Sequence, residues 1–398
     1  MRFPEFSGEW KKYSFNDIAQ YKKGPFGSAL KKEIFVPKSA DSVKIYEQQN
    51  AIKKDWELGR YYISRDYFIN HMQQFIVEAG DIIVSCAGTI GEIYELPPNA
   101  VSGVFNQALM RVRINATLID KNIFIKFFSS MIDSFSKIYS NGSAIKNIPP
   151  FADLKKTNVF LPTQNEQYKI SRLISLLDER IATQNKIIED LKKLKSAIIE
   201  KTFNENYSNK IRLRDVGSYI RGLTYSSDDV VESNGIFVMR SNNIINGSLL
   251  DYHNNIVSVN KKILTEQQLQ AGDIIICMAN GSSSLVGKSS FYDGGCSTPI
   301  TVGAFCGIYR SKEPIVKWLF QTHKYRRYIW NSLQGGNGAI ANLNGDDILC
   351  MSFSIPATPA KGNRIKLLTS VDTLLESNIS LCDLYISQKL YLLRQLFI

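Results

Sequence analysis

Apolar residues at helical spacing dominate two long segments, one in the middle of the chain and one at its end. In residues 165–202 they recur every three or four positions, in a heptad-like stripe that Gln184 and Lys195 interrupt, and residues 361–397 repeat the pattern. This period predicts two α-helices that each bury one face. Neither stripe is sustained enough for a long open coiled coil. We therefore expect the two helices to pack against each other, and antiparallel, because each follows its own globular unit.

Shorter apolar patterns predict a globular unit of mixed α and β structure before each long helix. The predicted strands are Asp81–Cys86, Ala108–Ile114 and Thr157–Leu161 in the first unit, and Ile274–Met278 and Ala304–Arg310 in the second. The predicted helices are Lys121–Tyr139, with Asp120 as its N-cap, and Glu313–Leu333.

An internal repeat relates the two units. The sequence Ala-Gly-Asp-Ile-Ile begins at Ala79 and again at Ala271. Each copy is followed by a Gly-rich stretch, an apolar strand ending in a proline, and a long helix. The two prolines, Pro162 and Pro356, lie 194 residues apart, as do the phenylalanines that end the two helical patterns. The repeat predicts an α+β fold, in which two similar mixed α/β domains are separated by a pair of long antiparallel helices in a pseudo-twofold arrangement.

Composition narrows the class of partner. The chain has 48 lysines and arginines against 37 acidic residues, a formal net charge of +11. This balance favours a polyanion such as nucleic acid, without proving one. No apolar run approaches the roughly 20 residues of a membrane span, and the charged N-terminus does not resemble a secretory signal. We therefore expect no membrane partner and a cytoplasmic location.

Cysteine and histidine spacing argues against a metal site. The six cysteines and three histidines are scattered, with no C-x-x-C pair. We therefore expect no bound metal. Cys86 and Cys277 lie in apolar strand contexts, which is typical of small core residues.

Two motifs resemble catalytic sites but lack the required chemistry. Residues 280–289 resemble a phosphate-binding loop, yet five residues instead of four separate Gly281 from Gly287, and no helix start follows. Ile148-Pro-Pro-Phe resembles a motif of amino-group DNA methyltransferases, but Ile148 cannot hydrogen-bond the target amine. We therefore expect no catalytic residue and no cofactor. A tandem-repeat enzyme that uses a nucleotide or S-adenosylmethionine stays the alternative.

Polar and glycine-rich loops that also carry basic and aromatic residues remain as candidate functional positions. Asn, Gln and Arg can read base edges bidentately, while Lys and backbone amides hold phosphates. Any one of these residues could instead belong to an ordinary solvated turn. The candidates for DNA contact are Lys22, Lys23, Phe26, Ser28, Arg60, Tyr62, Asn106 and Gln107 in the first unit, and Arg221, Thr224, Arg240, Asn242, Asn243 and Asn337 in the second.

The order of domain, long helix, domain and long helix resembles the specificity subunit of type I restriction-modification systems, over essentially the whole chain. The residues from Leu161-Pro-Thr-Gln-Asn-Glu through Leu176-Leu-Asp-Glu-Arg-Ile to Lys192-Lys-Leu-Lys-Ser are similar to the central conserved region of that family. The Ala-Gly-Asp-Ile-Ile strands and Gly24-Pro-Phe-Gly-Ser look like parts of its target-recognition domains. The second helix departs from the pattern, because Pro356-Ala-Thr-Pro-Ala-Lys has no acid in place of Glu166.

The resemblance implies a non-catalytic, sequence-specific DNA-binding subunit. Target-recognition domains at 1–160 and 208–356 would each read one half of a bipartite target in double-stranded DNA. The central helix (161–207) and the distal helix (357–398) would set the gap and dock two modification subunits, which methylate adenine with S-adenosylmethionine. ATP-dependent restriction subunits would join for cleavage.

The resemblance also implies that the central helix contacts those partners. The candidates for partner binding are Glu166, Ile170, Leu177 and Ile181. A helical scaffold that only bridges proteins is a further alternative. The bases read and the gap length do not follow from the sequence.

Overall fold

The chain divides into two compact units. The computed structural model describes residues 3–139, 151–203, 207–333, 341–357 and 360–397. Unit 1 consists of Met1–Ala182 with Asp383–Ile398, and unit 2 of Thr183–Cys382. Each unit therefore includes part of both long helices. The predicted boundaries, which separate the helices from the domains, stay a prediction.

Unit 1 is built from short strands and a few helices. Its strands are β1 (Lys11–Ser14), β2 (Ala19–Lys23), β3 (Phe35–Val36), β4 (Ser42–Tyr46), β5 (Tyr62–Ser64), β6 (Ile76–Val77), β7 (Ile82–Ser85), β8 (Ile93–Glu95), β9 (Gly103–Phe105), β10 (Leu109–Ile114) and β11 (Asn158–Leu161). Its helices are α1 (Phe15–Ile18), α2 (Gln48–Lys53), α3 (Arg65–Tyr67), α4 (Lys121–Tyr139) and α5 (Phe151–Lys156), and the long α6 (Gln164–Phe203) begins in it.

The strands of unit 1 form two main sheets and a two-stranded pair. An antiparallel sheet in the order β2-β10-β7-β8 packs against α4 around the stacked rings of Phe124 and Phe128, whose centroids are 5.4 Å apart. A second sheet, β3-β5-β4-β9-β6, contains one parallel pair, β4 with β9, and β1 pairs with β11. The predicted helix Lys121–Tyr139 is confirmed. Asp120 caps it, because its carboxylate accepts from the backbone N–H groups of Asn122 and Ile123.

Unit 2 contains most of these elements in a similar order. Its strands are β12 (Lys210–Arg212), β13 (Gly217–Arg221), β14 (Val230–Val231), β15 (Ile236–Met239), β16 (Val257–Val259), β17 (Ile274–Cys277), β18 (Ala279–Asn280), β19 (Ser289–Phe291), β20 (Ile300–Val302), β21 (Cys306–Ser311), β22 (Ala341–Asn342) and β23 (Ser352–Ser354). Its helices are α7 (Leu213–Val216), α8 (Val316–Leu319), α9 (His323–Leu333) and α10 (Gly345–Leu349), followed by the long α11 (Ala360–Phe397).

The first sheet of unit 2 matches that of unit 1 strand for strand, the second matches four of its five strands, and unit 2 has an additional pair, β18 with β22. The order β13-β21-β17-β19 corresponds to β2-β10-β7-β8, and β12 pairs with β23 as β1 does with β11. The sheet β14-β16-β15-β20 again contains one parallel pair, β15 with β20. The α+β fold predicted from the repeat is confirmed.

One predicted helix is interrupted. The pattern in Glu313–Leu333 predicts a continuous helix, but the structure divides it into α8 and α9. The cause is Thr322, whose hydroxyl accepts a hydrogen bond from the Tyr325 N–H and donates one to the Leu319 carbonyl. A threonine in this position caps a new helix instead of continuing the old one.

The repeated Ala-Gly-Asp-Ile-Ile sequence has the same structure in both units. Its glycine has a φ of +86° in the first copy and +90° in the second, which favours glycine. The aspartate that follows, Asp81 or Asp273, is buried and accepts a hydrogen bond from the backbone N–H three residues earlier. Arg113 of β10 and Arg310 of β21 each donate two hydrogen bonds to it. The repeat therefore marks a bidentate Arg–Asp pair that joins neighbouring strands.

Within unit 1, the described parts of α6 and α11 pack antiparallel. Asp178 of α6 bonds to Lys389 of α11, and the Arg180 guanidinium lies 5.4 Å from the ring centroid of Tyr385. Residue numbers along α11 therefore decrease as those along α6 increase, which is the mark of an antiparallel pair. The Asp178 carboxylate also pairs with the Lys126 ammonium of α4, with the nitrogen and oxygen 3.0 Å apart. One aspartate therefore lies between two lysines.

Within unit 2, the described parts of the two helices are also antiparallel. The Gln184 side-chain amide donates to the Asn378 amide oxygen at 2.5 Å. The Lys195 ammonium lies 2.5 Å from one carboxylate oxygen of Asp372. Lys317 approaches the second oxygen of Asp372 at 2.7 Å. Asp372 stands 194 residues after Asp178, so the lysine–aspartate–lysine arrangement belongs to the repeat. The predicted antiparallel pairing is confirmed in each unit.

Candidate nucleic-acid interface

Three loops meet at one end of the sheets in unit 1. They follow β2, β4 and β9, and the Asn106 N–H donates to the Tyr46 carbonyl while the Gly24 N–H donates to the Leu109 carbonyl. A Cβ atom on Gly24 would lie 1.9 Å from the carbonyl oxygen of Asn106. Only glycine permits this close approach of two loops. The loops and β3 enclose a cavity of about 180 Å³. It is lined by Phe26, Gly27, Leu30, Phe35, Ile45, Glu47, Tyr61, Asn106 and Gln107.

The wall of this cavity combines an exposed aromatic ring with polar side chains. Phe26 is 90% exposed at the tip of the first loop. Glu47 and Gln107 supply a carboxylate and an amide. Burial raises the pKa of the Glu47 carboxyl, and the nearby charges of Arg60 and Lys44 oppose that shift. An exposed ring can stack on a base, and carboxylate and amide groups can read base edges.

Unit 2 builds the same three-loop arrangement after β13, β15 and β20. The Gly303 N–H donates to the Met239 carbonyl and the Gly222 N–H to the Cys306 carbonyl, which match the two bonds of unit 1. A Cβ atom on Gly222 would lie 2.2 Å from the carbonyl oxygen of Gly303. The cavity is larger, about 510 Å³, and its lining includes Thr224, Tyr225, Ser226, Arg240, Ser241 and Phe305. Phe305 is 65% exposed.

A buried asparagine fixes the second loop in each unit. The Asn50 amide oxygen accepts from the Glu47 N–H at 2.7 Å, and its amide nitrogen donates to the carbonyls of Asp55 and Leu58. Asn243 does the same in unit 2, where its oxygen accepts from the Arg240 N–H at 2.9 Å. Its nitrogen donates to two carbonyls further along the chain. These three bonds use most of the capacity of each amide. Asn243 therefore fixes its loop, and its DNA contact stays a prediction.

Two candidates of unit 1, Phe26 on the first loop and Gln107 on the third, line the cavity. Lys22 donates to the Gln74 amide oxygen at 2.8 Å and lies 5.0 Å from the ring centroid of Phe75, whereas Lys23 and Ser28 are exposed. Their DNA contacts stay predictions.

Three other candidates of unit 1 have partners within the protein. Arg60 donates to the Tyr61 hydroxyl at 2.9 Å, beside the cavity. Asn106 lines the cavity, but its side-chain oxygen accepts from the Ala108 N–H and closes a turn. Tyr62 lies on β5, with the Lys44 ammonium 6.0 Å from its ring centroid, and it is not part of the cavity wall.

In unit 2, the structure brings together two of the candidates. Thr224 and Arg240 line the cavity. Arg221 and Asn242 are exposed residues outside its wall, and Asn337 lies outside the described residues.

Glu47, Tyr225 and Phe305 line the two cavities but are not among the candidates from the sequence. Glu47 reaches the cavity because β4 and β9 pair in parallel, although 59 residues separate Tyr46 from its partner Phe105. No local pattern reports such a pairing. Tyr225 could have been proposed from the sequence, because it directly follows the candidate Thr224.

The residues predicted to bind partners lie mostly on the inward face of α6. Ile170 belongs to the core of unit 1, and Glu166 and Leu177 are buried, whereas Ile181 is partly exposed. Their role in partner binding stays untested. Other apolar side chains on the long helices are exposed. In unit 1 they are Tyr168, Leu176, Leu384, Ile386, Leu390 and Tyr391, and in unit 2 Ile187, Leu194, Leu367, Leu374 and Leu381.

Among the described residues, no group of three or more His, Cys, Asp and Glu side chains could hold a metal ion. Cys86 and Cys277 are buried, and burial raises the pKa of both thiols, that of Cys86 to about 12. Across the described residues, no helix has the length and apolar composition needed to cross a membrane.

Comparison with known proteins finds matches in the N-terminal half of the chain. Residues 7–193 match the type I restriction modification DNA specificity domain. The chain is 31% identical over 167 residues to the EcoKI specificity subunit of Escherichia coli, an alignment that covers 40% of this chain and 34% of that protein. It is 32% identical over 150 residues to the StySPI specificity subunit of Salmonella potsdam, an alignment that covers 36% of this chain and 31% of that protein. These alignments therefore span about a third of each relative.

Solved structures resemble the whole chain in fold. The S subunit of the type I restriction-modification system of M. genitalium matches with a TM-score of 0.54 at 17% identity, over 100% of this chain and 99% of that one. A chain from a study of the assembly and conformational transition of a type I system matches with the same TM-score at 13% identity, over 98% and 96%. These structures match the fold of the chain, and the resemblance to specificity subunits is confirmed by the sequence matches in its N-terminal half.

Proposed function

We propose that this chain, which carries a type I restriction modification DNA specificity domain in residues 7–193, is the sequence-specific DNA-binding subunit of such a complex. Each unit reads one half of a bipartite target in double-stranded DNA. The long helices set the gap between the halves and dock two modification subunits, and restriction subunits join that assembly. The chain itself is non-catalytic.

The observation that carries this proposal is that one loop arrangement is built twice with different side chains on its walls. In both units, loops after equivalent strands enclose a cavity beside exposed aromatic residues. Two similar loop arrangements with different lining side chains suit two different half-sites, because base readout depends on which donors and acceptors a loop presents. The net charge of +11 supplies the attraction to phosphate that precedes readout.

The long helices support the spacing and docking parts of the proposal. Each unit contains an antiparallel section of α6 and α11. A helix is a stiff element with a fixed rise of about 1.5 Å per residue, so its length can define a distance. The exposed apolar side chains on both helices are the surface that a helical partner would cover.

The first test is a footprint of the chain assembled with its own modification subunits. We expect two protected half-sites separated by a gap, with an affinity whose logarithm falls linearly with the logarithm of salt concentration. A single contiguous footprint would contradict the two-reader proposal. No DNA binding with partners present would favour the protein-bridging scaffold.

The second test changes the helices. Matched seven-residue insertions, one in the middle of α6 and one in the middle of α11, would lengthen the pair by about 10 Å and keep its register. We expect a longer gap with unchanged half-site sequences. The control carries the same insertions with glycine and proline, which interrupt the helices. An unchanged gap in the helical variant would refute the spacing role.

A further inference from the structure

The two cavities carry opposite charges at one equivalent position. Tyr46 pairs in parallel with Phe105, and Met239 pairs in the same way with Val302. The next residue along the chain is Glu47 in unit 1 and Arg240 in unit 2. Each of these two side chains lines the cavity of its own unit.

The backbone holds this position in the same way in both units. The N–H group of Glu47 bonds to the Asn50 side-chain oxygen, and that of Arg240 bonds to the Asn243 side-chain oxygen. The N–H group of each asparagine returns a bond to the carbonyl of Glu47 or Arg240. Two loops fixed by identical bonds therefore present either a carboxylate or a guanidinium at corresponding points.

The two side chains have complementary hydrogen-bonding capacities. Arg240 is exposed, and among the described residues its guanidinium makes one hydrogen bond, a long one of 3.4 Å to the Asn255 carbonyl. Its fork of donors matches the O6 and N7 acceptors of guanine. The Glu47 carboxylate can only accept, and it matches the N4 amine of cytosine. Adenine suits it less well, because its N7 acceptor lies next to the N6 amine.

A carboxylate at a DNA-binding surface also opposes general attraction to phosphate. Glu47 therefore gains affinity only where a base offers it a donor. This makes position 47 suited to discrimination between bases and unsuited to non-specific binding.

We propose that Glu47 and Arg240 are the same specificity-determining position of two recognition units, with Glu47 selecting cytosine in one half-site and Arg240 selecting guanine in the other. This inference rests on the proposed function. The neighbouring wall residues, Phe26 and Gln107 in unit 1 and Thr224 and Phe305 in unit 2, contact the bases on either side.

The test is a selection of binding sites from random duplex DNA by the chain assembled with its own modification subunits. The variants are Glu47→Gln, which keeps the shape and removes the charge, and Arg240→Gln. The charge-matched controls are Glu33→Gln and Lys262→Gln, both exposed residues outside the cavity walls. Arg240→Ala provides a second variant, and thermal unfolding confirms that each protein is folded.

We expect the wild type and both controls to select one bipartite motif. Glu47→Gln should lower the preference for cytosine at one position of one half-site by about 10-fold, and both Arg240 variants should lower that for guanine in the other half-site by a similar factor. A bipartite motif that none of the three variants changes overturns this inference and leaves the proposed function standing. If the wild type selects no bipartite motif, the proposed function fails and the inference fails with it.

Discussion

The two units of this chain share the residues that fix their loops, which form a common frame, but they differ in the residues that line the cavity walls. The frame positions are occupied alike, with the aspartate–arginine pair after Ala-Gly, a buried asparagine below the second loop, and a glycine where the first loop crosses the third. The wall positions differ. Glu47, Phe26 and Gln107 correspond to Arg240, Thr224 and Ala304, and the cavity of unit 2 is nearly three times larger.

This difference separates two kinds of residue that look alike in the sequence. Asn243 and Arg240 are both polar residues in one short loop, and both were reasonable candidates for DNA contact. The equivalent of Asn243 in unit 1 is again asparagine, with the same three bonds, whereas the equivalent of Arg240 is Glu47. A residue that the backbone requires stays the same in both units. A residue that faces the cavity is free to differ.

The largest expected effect comes from breaking the frame at Asp273. Asp273→Ala would remove both hydrogen bonds from Arg310 and the one from the Gln270 N–H, and we expect unit 2 to lose about 3 kcal/mol of stability. Asp81→Ala should cost unit 1 somewhat less, about 2 kcal/mol, because its partner Arg113 is more exposed. Hydrogen exchange during chemical unfolding reports the two units separately.

The control for this pair is Asp228→Ala, an exposed residue of unit 2. We expect it to change stability by less than about 0.5 kcal/mol. A large loss in one unit with none in the other would show that the two frames are not equivalent.

The next largest effect concerns the buried asparagines. Asn243→Ala would leave the Arg240 N–H and two backbone carbonyls without their partner, at a cost of about 2 kcal/mol. We expect faster amide exchange in residues 240–255. Asn50→Ala should have the same effect in residues 47–58. The exposed neighbours provide matched controls, since Asn242→Ala and Gln49→Ala should leave exchange unchanged.

The helix contacts differ between the units in burial, and a third experiment uses that difference. In unit 2 the Lys195 and Asp372 side chains are each less than a tenth exposed, whereas in unit 1 Asp178 is 39% exposed. Lys195→Met should therefore destabilise unit 2 by about 2 kcal/mol, and the equivalent Lys389→Met should cost unit 1 only about 0.5 kcal/mol. Denaturant unfolding of each variant measures the two losses. Equal losses would mean that burial does not distinguish the two ion clusters.

The smallest effect is a pH dependence in unit 1. Although burial opposes it, hydrogen bonds from Lys389 and Lys126 lower the pKa of Asp178 below its ordinary value. A lowered carboxyl pKa stabilises the fold above the unfolded pKa of about 3.9, and this contribution disappears as pH falls through the folded pKa. Wild type should therefore exceed Asp178→Asn in stability by about 0.5 kcal/mol at pH 6, after solvent screening, and the gap should close below pH 4. A gap that persists at pH 2.5 would point to lost packing instead of lost charge.

The sequence alone determined the two long helices and the repeat of this protein. The stripe at 165–202 became α6, Gln164–Phe203, and the stripe at 361–397 became α11, Ala360–Phe397, because helical periodicity and caps are written in neighbouring residues. The pairing followed too, since both helices have an apolar face, and its antiparallel direction followed because each helix comes after its own globular unit.

Only the tertiary structure decided which loop residues share a cavity. Glu47 meets Gln107 and Phe26 because β4 pairs in parallel with β9, and Arg240 meets Phe305 because β15 pairs in parallel with β20. A parallel pairing joins segments about 60 residues apart, and its partner is chosen by the whole core instead of by local sequence. The same packing placed Asn243 under the loop and Ile170 in the core, so exposure could not be read from residue type. Local order is a property of short-range spacing, whereas a site is a property of contacts that form only when the chain folds.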